Sequence, residues 1–457
     1  MKNILVITGS IAEAEQFYRI AQVLSKKNIN IHFTCTRFFV YEYLKNKWDN
    51  VVFIDKPKVK NQNPINIDPY LLKYNNPTIA EIIFSDHVVK NWDKRKQINR
   101  VVHLIDFYED YFKKKNIEGV LSFPSSVVTA RTAFAVANSN NIQVSVINTG
   151  PVISNSSVIS TSEKNNSWPE FEQLYNNLEK LSEDEKKIVD KKLELIISDK
   201  KRSSLIRKPN YLRTIYNMVN FFFNRYDDYE KFELKKEIGL IKGFLPFNYW
   251  FFDKVPKGKF IFFPIHLNYD AQVCVRNPMY YDQEFLIKNI SKACPPGYTV
   301  VVKAHPYNSG VLIKKTYKLC KKLKNVKIVN SSISSFDLIK KAEMVTVINS
   351  TAGIEAIINK KPLLVFGNAY FQHYKNSLIV NNINDLPRIL NDGLLVKNNN
   401  ENFDDEYYKF LFSIFKTSKK GSFNFYKNYM SLGVSLGANE EIAHIENLSN
   451  IISDNFN

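Results

Sequence analysis

Short apolar runs alternate with segments of helical period twice along this chain, and that alternation most limits what it can fold into. Asn3–Thr8 (NILVIT) has the character of a buried strand, Gly9-Ser10 makes a turn, and Ala12–Lys27 places Ala14, Phe17, Ile20, Ala21 and Leu24 at helical spacing before a second strand at Ile29–Cys35. Val51–Ile54, Glu118–Ser122 and Ile142–Ile147 read as further strands, with a long helical region over about Ala80–Lys115 and a helix at Ser126–Ser139. A second series opens at Phe260–Pro264 and continues through helix Asp282–Cys294, strand Tyr298–Val302, helix Gly310–Lys324 and strand Val326–Val329. Helix Phe336–Lys341, strand Met344–Ile348, helix Thr351–Ile358 and strand Pro362–Phe366 complete it. Strands that alternate with helices predict parallel sheets covered on both faces. The expected fold class is α/β, with two Rossmann-like doubly wound domains facing a cleft.

The length of 457 residues suits two or three domains. The boundaries expected are 1–210 for an N-terminal domain with a helical insertion, 211–255 for an aromatic and basic linker, 256–400 for a C-terminal domain, and 401–457 for terminal helices. From about Ser154 the chain turns polar, and Ser182 with Glu185 three residues on reads as a capping box. Arg207–Phe252 is rich in Tyr, Phe, Lys and Arg, which fits packing at a domain junction or a membrane-facing surface. Only Gly9 follows the first strand, so the dinucleotide fingerprint G-x-G-x-x-G is absent and an NAD site is not expected.

The formal charge of +18 points to a polyanionic partner. The basic runs Lys113–Lys115, Lys200–Arg202 and Lys419-Lys420 are short and scattered and lack the aromatic interleaving of an RNA-binding signature, so an anionic membrane is expected rather than nucleic acid. Cys35, Cys274, Cys294 and Cys320 form no C-x-x-C pair, which argues against a zinc knuckle or a thioredoxin-type site. With no long apolar run and no signal-like start, the expected location is the cytoplasm, with peripheral contact at the inner membrane face.

Chemistry-bearing residues collect just past strand ends. Phe260–Pro264 runs into His266, Asn268 and Asp270, and Tyr298–Val302 runs into Lys303-Ala304-His305-Pro306. In open α/β sheets ligands bind at the carboxyl ends of strands. A third exit, Asn349-Ser350-Thr351, leads into a helix start suited to a phosphate or carboxylate, with Ala352-Gly353 keeping the approach open and Glu355 on the same helical face as Thr351. The simpler roles are capping for Ser350 and Thr351, a first-turn acid for Glu355, and an Asp bonded to its own backbone for Asp270. In the first half, Gly9, Ser10, Ser125 and Ser126 lie at strand exits, and capping is again the alternative role for the last two. There is no D-x-D pair at a strand exit, so no metal or other cofactor is expected.

The ordered set Phe263-Pro264-Ile265-His266, Asp270, Pro278, Val302-Lys303-Ala304-His305-Pro306, Asn349 to Ala356, Lys361-Pro362 and Phe366-Gly367 resembles the capsule polysaccharide biosynthesis family. That family includes the bacterial β-Kdo transferases, GT-B enzymes that use CMP-Kdo. The resemblance spans about Phe260–Tyr370. The chain departs from the family at His266, where Gln is frequent, and at Ala304, where an acidic residue often precedes His-Pro. The resemblance implies a glycosyltransferase whose C-terminal lobe binds a nucleotide-sugar donor and whose acceptor is a lipid-linked or oligosaccharide glycan. His305-Pro306 and Lys303 would meet the CMP phosphate, Asn349, Ser350, Thr351 and His266 would line the donor, and Glu355 would face the ribose or cytosine. Asp270 would act as the nucleophile of a retaining mechanism, or as a general base. A sialyl-type CMP-sugar transferase, a polyol-phosphate transferase and a non-catalytic capsule assembly or export partner are the alternatives.

Overall fold

The computed structural model describes residues 1–55, 65–152, 156–164, 166–202, 252–305, 314–395, 403–421 and 438–456. Most of the aromatic and basic segment Arg207–Phe252, and Pro306, lie outside the described residues. The chain divides into two compact units, Met1–Gln173 with Ile414–Asn457, and Leu174–Ser413.

In the first unit β1 (Lys2–Ile7), β2 (Ile29–Cys35), β3 (Val51–Phe53), β4 (Ile117–Ser122) and β5 (Gln143–Thr149) form a parallel sheet in the order β5-β4-β1-β2-β3. Val6 stands opposite Phe33 on one side and Leu121 on the other. The strand order reverses between β1 and β4. Two antiparallel strands extend the β5 edge, β6 (Ser156–Ser160) and the two-residue Lys419–Lys420. The sequence places Ser156–Ser160 in a polar stretch, because serines mask the period; its five residues are nevertheless all buried.

The second unit carries β7 (Phe260–Pro264), β8 (Thr299–Lys303), β9 (Val326–Val329), β10 (Met344–Val347), β11 (Leu363–Val365) and β12 (Ser377–Ile379), all parallel, in the order β12-β11-β10-β7-β8-β9. The reversal falls between β7 and β10. Strands buried on both faces become continuous runs of Phe, Val and Ile, which is why FIFFP, TVVVK and MVTV are legible as strands. The expected class, α/β with two Rossmann-like doubly wound units, is present.

The helical region Ala80–Lys115 is not continuous. Helices Ile79–Ser85 and Lys94–Lys115 are separated by a 3-10 turn at Val89–Asn91. The break comes from Asp86, a fully buried residue whose Oδ1 accepts the N–H groups of Val88 and Val89 at 2.9 and 3.0 Å. Asp93 then starts the next helix by accepting from Lys96 N–H. Glu185 and Ser182 make the expected reciprocal capping box.

The terminal helix Ala438–Phe456 returns to the first unit. Ile445, Leu448, Ile452 and Phe456 enter the same core as Ile4, Val6, Phe17, Ile20 and Leu24. Phe456 fits against β4 because Gly119 has no side chain to displace it. Polar contacts fix the docking: Arg19 pairs with Glu441 at 2.9 Å, Lys2 Nζ donates to Phe456 O, and Asn455 Nδ2 donates to Ser145 Oγ at 2.7 Å.

Candidate functional site

In the second unit the parallel register brings three exits together. Pro264 stands opposite Lys303, and Ile265 N–H still donates to Lys303 O at 3.1 Å, so β7 and β8 end level. On the other side of β7, β10 delivers Asn349, and Gly367 N–H on the β11 exit bonds Ile348 O at 3.0 Å. His266, Asp270, Lys303, His305, Asn349 and Glu355 therefore belong to one edge at the strand-order reversal.

Specific hydrogen bonds hold the loop after β7. His266 donates its backbone N–H to Gln283 Oε1 at 2.7 Å, and Gln283 Nε2 returns to His266 O at 3.1 Å and to Asn268 Oδ1 at 2.8 Å. The imidazole is buried, and its Nε2 has no hydrogen-bond partner among the described residues. Asp270 caps the short helix Ala271–Cys274, with Oδ1 accepting Gln272 N–H at 2.9 Å. The self-bonded Asp foreseen from the sequence is thus present. The carboxylate also acts electrostatically on His266, His305 and Arg276, which puts all three in its field.

Burial sets the charge state of this edge. It lowers the Lys303 ammonium to about 8, against the opposing pull of Glu355. It lowers His305 to about 4, with Asp270 acting the other way and His266 and Lys303 reinforcing the fall. His266 is lowered by the same cause. Arg276 comes down to about 10 by burial, with Asp270 opposing. At neutral pH the cations are therefore Lys303 and Arg276, while His305 is a neutral imidazole able to donate or accept a hydrogen bond. Glu355 is buried, and its charge also raises the Tyr370 phenol, whose main perturbation is burial.

The third exit differs from the expectation in detail. Helix Ala352–Ile358 has seven residues. Ser350 Oγ accepts Ala352 N–H at 3.3 Å, whereas Thr351 is exposed and its side chain makes no cap bond. Gly353 does not open the approach: it is buried, and a Cβ there would overlap the Phe371 ring. Asn349 Nδ2 donates to Gln272 O at 2.9 Å, and its Oδ1 is buried without a partner among the described residues.

In the first unit Gly9, Ser10, Ser125 and Ser126 lie past β1 and β4, flanking that sheet's own reversal point. Gly9, Ser10 and Ser125 serve local turns, and Ser126 bonds to the end of helix Ile79–Ser85. Ser10 Oγ accepts Glu13 N–H at 3.2 Å, and Gly9 N–H donates to Glu13 Oε2 at 2.7 Å. Ser125 Oγ accepts Val127 N–H at 3.3 Å, and Ser126 O accepts from Ser85 Oγ at 3.1 Å. The helix start at Val128 already meets an anion of the chain, since Asp86 Oδ2 accepts Val128 N–H at 2.8 Å. A ligand anion is not needed to satisfy that N–H.

Arg276, Gln272, Asn277 and Tyr370 were missed by sequence reasoning. Asn277 and Arg276 precede Pro278 of the motif set, which was the one available signal; no spacing rule singles them out.

A doubly wound unit with cations, imidazoles and carboxylates on the carboxyl ends at its reversal point has the layout of a nucleotide-binding α/β domain. Residues 192–374 match the family described as capsule polysaccharide biosynthesis protein. Solved structures similar to the chain include the β-Kdo 2,4 transferase of Thermosulfurimonas dismutans KpsC, at 11% identity and TM-score 0.38, covering 73% of this chain and 88% of that one. The β-Kdo 2,7 transferase of the same protein matches at 16% identity and TM-score 0.34, covering 75% and 88%. UDP-GlcNAc 2-epimerase from Neisseria meningitidis matches at 14% identity and TM-score 0.31, covering 100% and 99%. No curated protein matches.

Proposed function

We propose that this chain is a glycosyltransferase of capsule polysaccharide synthesis that takes a CMP-sugar, CMP-Kdo first among them, at the β7, β8 and β10 exits. The observation that carries the reading is the gathering of Lys303, His305, His266, Asp270, Asn349 and Glu355 at the switch point. His266 Nε2 and Asn349 Oδ1, unsatisfied among the described residues, add to it, because buried polar atoms without partners are costly unless a ligand completes them. The family match over 192–374 supports the same assignment.

In this reading Lys303 supplies the charge that meets the donor phosphate. His305, Ser350 and Thr351 add hydrogen bonds, Pro306 adds apolar contact beside His305, His266 and Asn349 line the donor, and Glu355 receives ribose hydroxyls or the base. Asp270 attacks the anomeric carbon, and the bond from that carbon to the phosphate oxygen breaks with its electron pair leaving on CMP. The acceptor hydroxyl then opens the glycosyl ester, passing its proton to the departing CMP phosphate or to water, which releases the Asp270 carboxylate and gives net retention. Stabilising the charge that grows on the leaving phosphate is what Lys303 and the donor groups contribute to rate. The β1 and β4 exits, with Gly9, Ser10, Ser125 and Ser126, form the acceptor side.

The net charge of +18 suits an acceptor presented at an anionic membrane, reached by peripheral contact. Among the described residues no helix is long and apolar enough to cross a membrane.

The test is to incubate the purified protein with CMP-Kdo and a panel of lipid-linked and synthetic glycan acceptors, read by mass spectrometry. The expected result is CMP release with a mass gain of one sugar on an acceptor. Thermal stabilisation by CMP-sialic acid or CDP-glycerol, but not CMP-Kdo, would move the donor to those classes. Binding none of the three would overturn the transferase reading.

A further inference from the structure

A set of carboxamides joins the β7, β10 and β11 exits around Gln272, the residue next but one to Asp270. Gln272 N–H holds Asp270 Oδ1 at 2.9 Å, and the same residue's carbonyl accepts from Asn277 Nδ2 at 3.1 Å and from Asn349 Nδ2 at 2.9 Å. The other end of Asn277 reaches the β11 exit, where its Oδ1 accepts Asn368 N–H at 2.8 Å. Asn277 is buried, and both ends of its carboxamide are used. Gly367 completes the fit, since a Cβ at this position would overlap the Asn277 carboxamide. Gln272 Oε1 also accepts from Arg276 Nη1 at 2.8 Å, which braces the turn from its other side.

We propose that Asn277 and Gly367 form a clamp that fixes the turn carrying Asp270 against the β10 and β11 exits, making Asn277 a positioning residue for the transfer step. The proposal rests on the reading of Asp270 as the group that attacks the donor. Asn277 meets neither nucleotide nor sugar in this scheme. Its bonds go to Gln272 and Asn368, and it acts by holding the turn that carries the carboxylate in register with the β11 exit, while Asn349 ties the same turn to β10. A nucleophile displaced by about an ångström loses on the order of a hundredfold in rate while ground-state binding is little changed. The clamp should therefore appear in kcat and not in nucleotide affinity.

The experiment compares wild type with Asn277→Ala, Asn277→Asp, Gly367→Ala, the Asn277→Ala/Gly367→Ala double variant and Asp270→Ala. CMP release from CMP-Kdo gives kcat and KM, and calorimetry gives CMP affinity. Asn277→Asp keeps the acceptor for Asn368 N–H and removes the donation to Gln272 O, so it stays informative if the alanine variant does not fold. Asn277→Ala, Asn277→Asp and Gly367→Ala should each lower kcat by roughly 10- to 100-fold with CMP affinity unchanged. Gly367→Ala should have no further effect once Asn277 is Ala, because the space it needs is then vacant. Clamp variants at wild-type kcat, or with parallel losses in CMP affinity, overturn the proposal while an inactive Asp270→Ala leaves the transferase reading standing. An additive double variant also overturns it. If Asp270→Ala keeps wild-type kcat, or wild type releases no CMP from CMP-Kdo, the underlying reading fails and the clamp's role fails with it.

Discussion

Raising the pH should weaken CMP binding chiefly through Lys303. Burial brings this ammonium from 10.5 to about 8, a penalty on its charged form of about 3 kcal/mol at 1.36 kcal/mol per pH unit. A bound phosphate restores the charged form, so the bound protein keeps its proton where the free protein has lost it. The phosphate's second ionisation, near pH 6, is complete by pH 7.5, as is that of His305, lowered to about 4. Between pH 7.5 and 9.5 the protonated fraction of free Lys303 falls roughly 25-fold, and CMP affinity should fall with it. The sign separates this from unfolding. From about pH 8 to the unfolded-state value the native protein has lost a proton that the unfolded chain retains, so Lys303 makes the fold more stable as pH rises in that window. Calorimetric titration of CMP at both pH values, in buffers of different ionisation heat, should show uptake of nearly one proton per site at the upper pH. Lys303→Met should bind weakly with no pH dependence. Flat wild-type affinity across the range, or a Lys303→Met variant with the same slope, would refute the assignment of Lys303 to the phosphate.

Asp270→Asn should abolish transfer from CMP-Kdo while leaving CMP affinity by calorimetry intact; sustained turnover would remove Asp270 from the chemistry. Asp86→Ala leaves the N–H groups of Val88, Val89 and Val128 without their acceptor and should cost about 3–5 kcal/mol. Urea unfolding measures that cost, and a loss below about 1 kcal/mol would mean that water or neighbouring groups replace the carboxylate. Phe456→Ala should destabilise the first unit by about 3–5 kcal/mol, because the ring is buried against Gly119 on β4. A melting temperature equal to wild type would show that the terminal helix is not part of that core.

The strands and their exits were legible because they are simple in physical terms. A strand buried on both faces is apolar along most of its length, so FIFFP, TVVVK and MVTV announce themselves, and the polar residues that follow mark where each strand leaves the sheet. The Ser182 and Glu185 capping box was legible because its partners are three residues apart. The order β12-β11-β10-β7-β8-β9 is different in kind, since it depends on which strands pair after the chain has crossed the sheet. It alone makes the β7 and β10 exits neighbours. The break at Asp86 depends in part on Val128, 42 positions away, and β6 is a strand because β5 offers it an edge, not because Ser156–Ser160 looks like one. The titration of His305 and Lys303 follows from burial, which no local spacing reveals. By itself the sequence determined where the apolar central strands lie and which ionisable groups stand at their ends. Tertiary structure decided which ends meet, which groups remain charged there, and that Asn277 and Gly367 lock beside Asp270, because pairing and desolvation arise only between segments far apart in the chain.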